Sequence, residues 1–209
     1  PVWSSSDSAI ATVDAVSADS ARGRVASVHF GEARVAVSAE GAADSAWIRV
    51  VPDRIEVTAA ADTLNAIGDT VALTAVAYDT ANTAFAGEAV AWEALDTTVV
   101  QLLTGDTLAD ARGTGTGRVA AGLMGVADTA SVVVRQVVAA IALSPSPGEV
   151  ALGDTLHLAA TATDSNGVVI PGYVPVWSTS DSSVASVDSA GVATGHALGT
   201  ATITASGSG

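Results

Sequence analysis

Hydrophobic and polar residues alternate over short stretches along most of the chain. Val35 and Val37 alternate with polar or small neighbours, while Trp47 and Arg49 fall on the face of an extended chain opposite Ile48. A period of two residues is typical of a strand with one buried face. These stretches therefore predict half-buried β-strands.

A strand is also predicted from Val71 to Tyr78, where one face of an extended chain carries Val71, Leu73, Ala75 and Ala77 and the other carries Thr74, Val76 and Tyr78. Turn-forming residues bracket the stretch, with Gly68 and Asp69 before it and Asp79 after it. No stretch of useful length has the 3.6-residue period of an amphipathic helix. The chain is predicted to be all-β.

One strand motif is written three times. Trp3 begins the segment WSSSD, Trp177 begins WSTSD, and a looser copy, WEALD, begins at Trp92. Trp92 follows Trp3 by 89 residues, and Trp177 follows Trp92 by 85 residues. A motif that recurs at a nearly constant spacing indicates a repeat array.

Further landmarks keep the same register in the second and third copies. Gly153 and Asp164 lie 85 residues after Gly68 and Asp79, in the same order as the tryptophans. We therefore predict three domains, which we call the first, second and third repeats: residues 1–52, residues 53–137 and residues 138–209. The joints near Pro52 and Val137 are short, so they leave little slack between repeats.

The register also predicts which strands of the first and last repeats fall outside this sequence. The strand that would close the third repeat falls at residues 216–220, beyond Gly209, and the opening strands of the first repeat fall before Pro1. Both repeats are therefore expected to be incomplete sandwiches within this sequence. Two explanations remain open: this sequence is part of a longer chain that supplies the missing strands, or a neighbouring molecule donates a strand.

Composition supports small, folded β-domains. Hydrophobic residues make up 49% of the chain but aromatic residues only 4%, so each core is built mainly from Ala and Val. The formal net charge is −14, with 22 acidic residues against eight arginines. Such a chain repels nucleic acid and anionic membrane surfaces, and no apolar run is long enough for direct membrane insertion.

The repeats resemble a known family. The third repeat carries GDTLHLAATATD at 153–164, VWSTSD at 176–181, VASVD at 184–188 and GTATITA at 199–205. These segments resemble the bacterial immunoglobulin-like domains of group 2. The first repeat matches well as far as it extends, and the second departs where TLADARG replaces the glycine turn.

The resemblance implies a β-sandwich of immunoglobulin type in each repeat, within a bacterial extracytoplasmic protein such as an adhesin or a surface-layer protein. On that basis Trp3, Trp92 and Trp177 are expected to be structural core residues. Trp47 has no counterpart in the second repeat, which makes it the candidate for an interaction surface. The fold itself does not identify a ligand, because function resides in sites carried by the fold.

Candidate sites for chemistry are sparse. Cysteine is absent, and His29, His157 and His196 stand alone without a second ligand at metal-binding spacing. No GxSxG or Ser-Lys arrangement accompanies the many serines, so an enzyme is not expected. Calcium is the one cofactor considered, because five aspartates lie in or beside predicted turns: Asp7, Asp14, Asp19, Asp181 and Asp188.

The sequence therefore predicts a non-catalytic extracytoplasmic module, a rigid spacer or a protein-interaction and adhesion element. Its expected partners are proteins or neighbouring copies of the same array. Two alternatives remain open: a structural accessory subunit of an envelope assembly or extracellular filament, and an accessory binding module of a secreted carbohydrate-active enzyme. The last requires a row of exposed aromatic residues, and the chain has few to spare.

Overall fold

The fold is described from a computed structural model, which covers residues 1–17, 21–105 and 107–207. Every regular element in these ranges is a β-strand. The prediction of an all-β protein made of immunoglobulin-like sandwiches is therefore confirmed. Among the described residues, no helix is long and apolar enough to cross a membrane.

The first repeat contains a three-stranded sheet and a two-stranded sheet. The sheets have the orders β1-β4-β5 and β2-β3. The strands are β1 (Val2–Ser5), β2 (Ala11–Ala15), β3 (Gly23–Ser27), β4 (Gly31–Ala39) and β5 (Ala42–Val50).

The second repeat contains one sheet with the order β10-β13-β14-β7 and another with the order β11-β12-β8-β6, to which β9 is added beside β8. The pairs β11-β12, β12-β8 and β8-β9 are antiparallel, whereas β14 and β7 are parallel, with Val133 beside Thr63. The strands are β6 (Arg54–Ala59), β7 (Thr63–Leu64), β8 (Thr70–Tyr78), β9 (Ala84–Ala86), β10 (Ala91–Ala94), β11 (Val100–Leu102), β12 (Leu108–Ala111), β13 (Gly115–Leu123) and β14 (Val126–Val134).

The third repeat contains three small sheets, with the orders β15-β17, β16-β20-β19 and β18-β21. The strands are β15 (Ala140–Ser144), β16 (Thr155–His157), β17 (Ala159–Thr163), β18 (Val176–Thr179), β19 (Ala185–Val187), β20 (Val192–Gly195) and β21 (Ile203–Ser206).

The predicted alternation is visible in the burial of side chains. Val71, Leu73 and Ala77 of β8 are buried, whereas Ala72 and Thr74 between them are exposed. The largest fully buried side chains are all valines: Val100, Val119, Val132 and Val134. The core is therefore built from small branched residues, as the composition indicated.

Tight turns fix the two long hairpins. Glu40 and Gly41 join β4 to β5 with φ values of 52° and 87°, and Met124 and Gly125 join β13 to β14 with 53° and 90°. Two successive residues with positive φ are the signature of a type I′ turn, whose twist matches that of the flanking strands. The two hairpins are thus equivalent, residue for residue, at an offset of 84.

By its contacts the chain divides into two compact units. Unit 1 consists of Pro1–Thr58, Leu73–Glu93 and Val119–Ala130, and unit 2 consists of Ala59–Ala72, Ala94–Arg118 and Ser131–Gly209. Each unit holds one joint between successive repeats: unit 1 holds the joint between the first and second repeats, and unit 2 the joint between the second and third. The three repeat boundaries stay a prediction from the sequence register.

Candidate functional site

The three repeated tryptophans occupy one structural position. Trp3, Trp92 and Trp177 are each the second residue of a four-residue strand, β1, β10 and β18. Each indole is half-buried. The repeat register of the sequence therefore corresponds to a repeat register of strands, and the core role of these residues stays a prediction.

A glycine lies against the indole in the first and third repeats. An added Cβ at Gly23 would lie 2.7 Å from Cδ2 of Trp3, and one at Gly191 would lie 2.8 Å from Cζ2 of Trp177. These distances are shorter than any van der Waals contact, so only glycine fits without a shift. In the second repeat Thr107 stands at this position, directly before β12.

Trp92 instead borders an apolar cluster that includes residues of two repeats. The buried members are Phe30, Ile55, Val57, Ala77 and Ala121, and Trp92 packs against them. Phe30 belongs to the first repeat, whereas the other four belong to the second. The core of the second repeat is therefore continued by a residue of the first.

Aromatic side chains form the joint between the first and second repeats, which we call the aromatic joint. The ring centroids of Phe30 and Phe85 are 4.8 Å apart, and His29 meets Phe85 edge-on at 5.4 Å. Nε2 of His29 lies 3.1 Å from Oε1 of Glu88. Aromatic pairs at these distances prefer tilted arrangements such as these, so the two repeats are joined by a defined apolar contact with a polar edge.

Asp164 forms the centre of the joint between the second and third repeats, which we call the polar joint. Its carboxylate Oδ2 accepts hydrogen bonds from the backbone N–H of Ile67 at 3.0 Å and from Nε2 of Gln136 at 2.9 Å. Its Oδ1 accepts from the N–H groups of Asn166 at 3.1 Å and Val168 at 2.9 Å. One oxygen therefore holds the loop of the third repeat and the other holds the second repeat.

Asn166 adds a second connection across the polar joint. Its Nδ2 donates to the carbonyl oxygen of Ile67 and to Oδ1 of Asp69, both at 2.9 Å. Oδ2 of Asp69 in turn accepts from the N–H groups of Asn65 and Ala66. Both loops that meet in the joint are thus braced by a carboxylate.

The electrostatics of Asp164 follow from this geometry. Only 2% of Asp164 is exposed, and burial by itself would raise the pKa of its carboxyl. The hydrogen bonds from Gln136, Ile67, Val168 and Asn166 outweigh burial and leave the pKa of Asp164 lowered from its ordinary value. The group is therefore held as a carboxylate, the form that accepts all four hydrogen bonds.

Asp79 shows what the same sequence landmark does in the second repeat. Its Oδ1 accepts from the N–H groups of Ala81 at 2.9 Å and Thr83 at 2.7 Å, which repeats the loop-bracing half of the Asp164 pattern. Its other oxygen makes none of the described hydrogen bonds. The connection to a neighbouring repeat is therefore particular to Asp164.

The aspartates considered for calcium serve mainly as local turn braces. Asp7, Asp181 and Asp188 each accept a hydrogen bond from the N–H two residues ahead, at 2.9 Å. Asp14 lies in β2 opposite Arg24, and Asp19 lies outside the described residues. In the described part of the chain, no three His, Asp or Glu side chains group closely enough to hold a metal ion.

A cavity with a volume of about 740 Å³ lies in the third repeat. Its walls are mostly aliphatic, including Leu156, Leu158, Val184 and Leu198. Glu149 is the one ionisable residue among the described residues that line it. A nucleophile paired with a base, or two carboxylates for acid-base work, is not assembled there.

The remaining candidates are placed as follows. Trp47 is 70% exposed, and it lies on β5 opposite Arg34 of β4. His29 lies in the aromatic joint, and His196 is within 2.7 Å of the Ser186 hydroxyl.

Sequence reasoning did not identify the joint residues. The chain contains only two phenylalanines, and both lie in the aromatic joint. Large aromatic side chains are rare in this chain, whose cores consist mainly of Ala and Val. Their rarity is a signal from which the aromatic joint could have been predicted. Gln136 and Asn166 offered a weaker signal, since their role depends on a partner loop in another repeat.

Comparison with protein families identifies the third repeat. Residues 137–207 match the family model of the bacterial Ig-like domain (group 2). The third repeat is a bacterial immunoglobulin-like domain of group 2, which confirms the resemblance seen in its WSTSD and GDT segments. No curated protein matches the chain.

Several solved structures match the chain at low identity and with TM-scores below 0.5. The surface-layer protein SbsC is 16% identical with a TM-score of 0.36, over 97% of this chain and 33% of that chain. The Escherichia coli adhesin FdeC is 19% identical with a TM-score of 0.42, over 99% of this chain and 77% of that one. Invasin, a bacterial integrin-binding protein, is 14% identical with a TM-score of 0.38, over 98% and 48%. The chain thus spans about a third of the surface-layer structure.

Proposed function

We propose that this chain is a non-catalytic repeat module that acts outside the bacterial cytoplasm. In this proposal its joints hold neighbouring immunoglobulin-like repeats in fixed orientations. The module then acts as a rigid spacer or as an element that presents a protein-interaction surface. Its partners are proteins or further copies of the same repeat.

The polar joint is the observation that carries this proposal. Asp164 is almost completely buried, and both of its oxygens are occupied, one by its own loop and one by the second repeat. A buried carboxylate that loses its partners is strongly destabilising, because the charge is then left without compensation. Opening this joint is therefore unfavourable unless the whole loop rearranges.

The aromatic joint supports the same function by different chemistry. Phe30 is only 9% exposed because it is covered by the second repeat, including Phe85. Separating the repeats would return these apolar surfaces to water, at about 25 cal/mol for each Å². Both joints thus oppose bending between the repeats that they connect. One does so through apolar contacts and the other through hydrogen bonds.

The chemistry of the surface supports a role without catalysis. The formal charge of −14 and the absence of lysine favour solubility and disfavour binding to nucleic acid. Glu149 is the one ionisable residue among the described residues that line the cavity of the third repeat, so no pair of ionisable groups is assembled there. A rigid array of this kind serves an adhesin and a structural subunit of an envelope assembly equally well, and the identity of the partner distinguishes the two.

Residual dipolar couplings measured on the intact chain test the proposal. We expect the amide groups of unit 2 that belong to the second repeat and those that belong to the third to fit one common alignment tensor. Two different tensors, or tensors of clearly different magnitude, would mean that the repeats reorient independently and would overturn the spacer function. The same measurement on Asn166→Ala should separate the tensors, while Asn82→Ala, a loop variant of the second repeat, serves as the control.

A further inference from the structure

The outer face of the sheet β1-β4-β5 differs from the equivalent faces of the other repeats. We call it the Trp47 face and define it by Ser4, Ser6, Arg34, Ser45 and Trp47. Trp47 and Arg34 are directly opposite each other on β5 and β4, and Ser45 and Ser4 flank Ala36 in the next row of the sheet. These side chains therefore share one surface.

An exposed indole stands at the end of this surface. Trp47 is 70% exposed, which is unusual for a large aromatic side chain in a chain with so few of them. Its neighbours on the face are charged or small and polar. Because an apolar protein interface has a hydrophobic core around its anchor, these surroundings are poorly suited to an apolar protein partner.

Arg34 beside it is free of acidic partners. Its Nε donates to Oγ of Ser45 at 2.7 Å, and no carboxylate of the described residues lies within ion-pair distance of its guanidinium. The two terminal nitrogens of the guanidinium are therefore available. Arginine presents such nitrogens in a fork that matches the two oxygens of a carboxylate.

The second repeat shows that this freedom is particular to the first. By the equivalence of the two hairpins, Arg118 corresponds to Arg34 and Ser131 corresponds to Trp47. Nε of Arg118 donates to Oδ2 of Asp96 at 2.9 Å, and this hydrogen bond lowers the pKa of the Asp96 carboxyl. In the second repeat the arginine is thus neutralised by its own domain, and the indole is absent.

The third repeat has no arginine at this position. Ser180 and Thr202 make there the reciprocal hydrogen bonds that Ser6 and Arg34 make in the first repeat. Thr202 therefore occupies the position of Arg34 and carries no charge. All three repeats make the same backbone hydrogen bond at this sheet position. Only the first repeat combines an arginine that has no acidic partner with an exposed tryptophan.

The local charge also differs from that of the whole molecule. Glu32 lies 3.4 Å from Arg49 in the next row of the face, so these two charges compensate each other. Asp44 borders the same groove and offsets Arg34. The face is therefore close to neutral on a chain of net charge −14, and an anionic ligand meets little of the repulsion that it meets elsewhere.

A groove runs along this face with a volume of about 400 Å³. Serines 4, 5, 6 and 45 supply hydroxyl groups along it, and Arg34 and Asp44 supply the charged groups. Volumes of this size are ordinary for small-molecule sites. Trp47 is outside the residues that line the groove, but it lies directly opposite Arg34, which lines it. Hydroxyl-rich walls next to this indole fit a ligand with one apolar face and a hydroxyl-bearing edge.

We propose that the Trp47 face binds a carboxylate-bearing sugar unit of an acidic polysaccharide. The indole of Trp47 covers the C–H face of the sugar ring, and the guanidinium of Arg34 binds the carboxylate. The serine hydroxyls and Asp44 bind the ring hydroxyls. This inference goes beyond the spacer function, and it can fail while the joints behave as described.

The test uses an oligomer of galacturonic acid and, as its neutral counterpart, an oligomer of galactose, each titrated into the intact chain. The readout is the NMR signal of the Trp47 indole N–H, assigned as the signal missing from Trp47→Ser. We expect the acidic oligomer to shift this signal and to bind at least tenfold more tightly than the neutral one. Added salt should weaken the acidic oligomer's binding, because the ion pair is exposed.

Three variants make the result specific. Arg34→Gln should lower the affinity for the acidic oligomer at least tenfold, to that of the neutral one. Trp47→Ser should abolish binding of both oligomers, which is measured by isothermal titration calorimetry because this variant lacks the Trp47 signal. Arg118→Gln, at the equivalent position of the second repeat, should leave binding unchanged. Equal affinity for both oligomers, no shift with either, or a shift of the Trp47 signal with a glutamate-rich peptide but not with the acidic sugar would each overturn the proposal.

Discussion

Gly191 lies directly against the indole of Trp177, so closely that a methyl group has no room between them. A Cβ on Gly191 would lie 2.8 Å from Cζ2 of Trp177 and 2.6 Å from the carbonyl oxygen of Leu158. The φ angle of Gly191 is +81°, which side-chain-bearing residues rarely adopt. The glycine and the tryptophan of the repeat motif are thus two halves of one packing unit.

We therefore expect Gly191→Ala to destabilise the third repeat by about 3 kcal/mol, from about 1 to 2 for the positive φ and a further 1 to 3 for the forced contact. Urea unfolding followed by the NMR signal of the Trp177 indole N–H measures this loss, since the chain contains four tryptophans. Gly153→Ala is the matched control, since Gly153 has a φ of +84° and nothing within 4 Å of an added Cβ. Equal losses for the two variants would contradict the packing of Gly191 on Trp177.

Trp177 itself provides the second prediction. Its indole is half-buried, so we expect Trp177→Ala to cost about 2 to 3 kcal/mol, somewhat below the cost for a fully buried aromatic residue. Trp47→Ala should change stability by less than about 0.5 kcal/mol, because Trp47 is 70% exposed. Thermal unfolding of both variants compares the two, and an unchanged melting temperature for Trp177→Ala would refute the core role of this position.

Much of the fold could be predicted from local patterns. Val71, Leu73 and Ala77 alternate with exposed residues because a strand turns successive side chains to opposite faces. Trp3, Trp92 and Trp177 recur because each repeat needs the same strand position. Such signals are contained within a few residues, which is why the sequence alone conveys them.

The joints could not be predicted in this way. Asp79 and Asp164 are the same landmark in the sequence, yet only Asp164 bonds to Ile67, which is 97 positions away. Arg34 and Arg118 are likewise equivalent, and only Arg118 has an acidic partner. What separates these pairs is the neighbour that each meets in space, and a single sequence does not list its neighbours.

The lowered pKa of Asp164 predicts an acid-sensitive joint. Burial alone would raise this pKa, but the hydrogen bonds from Gln136 and three backbone N–H groups lower it below its ordinary value of 3.8. The stabilisation is therefore complete above about pH 4, and it declines as the pH falls further, through the lowered pKa of the folded state.

The melting temperature between pH 6 and pH 2 measures this effect, with Asp164→Ala as the comparison. We expect the difference between the wild type and the variant to be largest near neutral pH and to shrink below about pH 4. The comparison removes the contributions of Asp96 and Asp181, whose pKa values are also lowered. A difference that stays constant down to pH 2 would argue against an ionised Asp164.

The high negative charge predicts a response to ions. With a net charge of −14, we expect the melting temperature to rise modestly with sodium chloride, since salt screens the repulsion between carboxylates. Calcium, magnesium and matched sodium chloride should be compared at equal ionic strength. A gain specific to calcium would support bound ions at the aspartate-rich turns, and no response to any of the three would contradict both the screening and the calcium hypotheses.

An electron-electron distance measurement between two spin labels tests whether the polar joint holds the second and third repeats in one orientation. Because the chain contains no cysteine, labels can be placed uniquely at Gln101→Cys in the second repeat and Ser178→Cys in the third, both exposed positions. We predict a narrow distance distribution that broadens in Asp164→Ala and Asn166→Ala but stays narrow in Asp79→Ala, where only a local loop brace is lost. A distance distribution that is broad in the protein without the Asp164 substitution, or one that Asp164→Ala leaves equally narrow, would show that Asp164 does not fix the orientation of the two repeats.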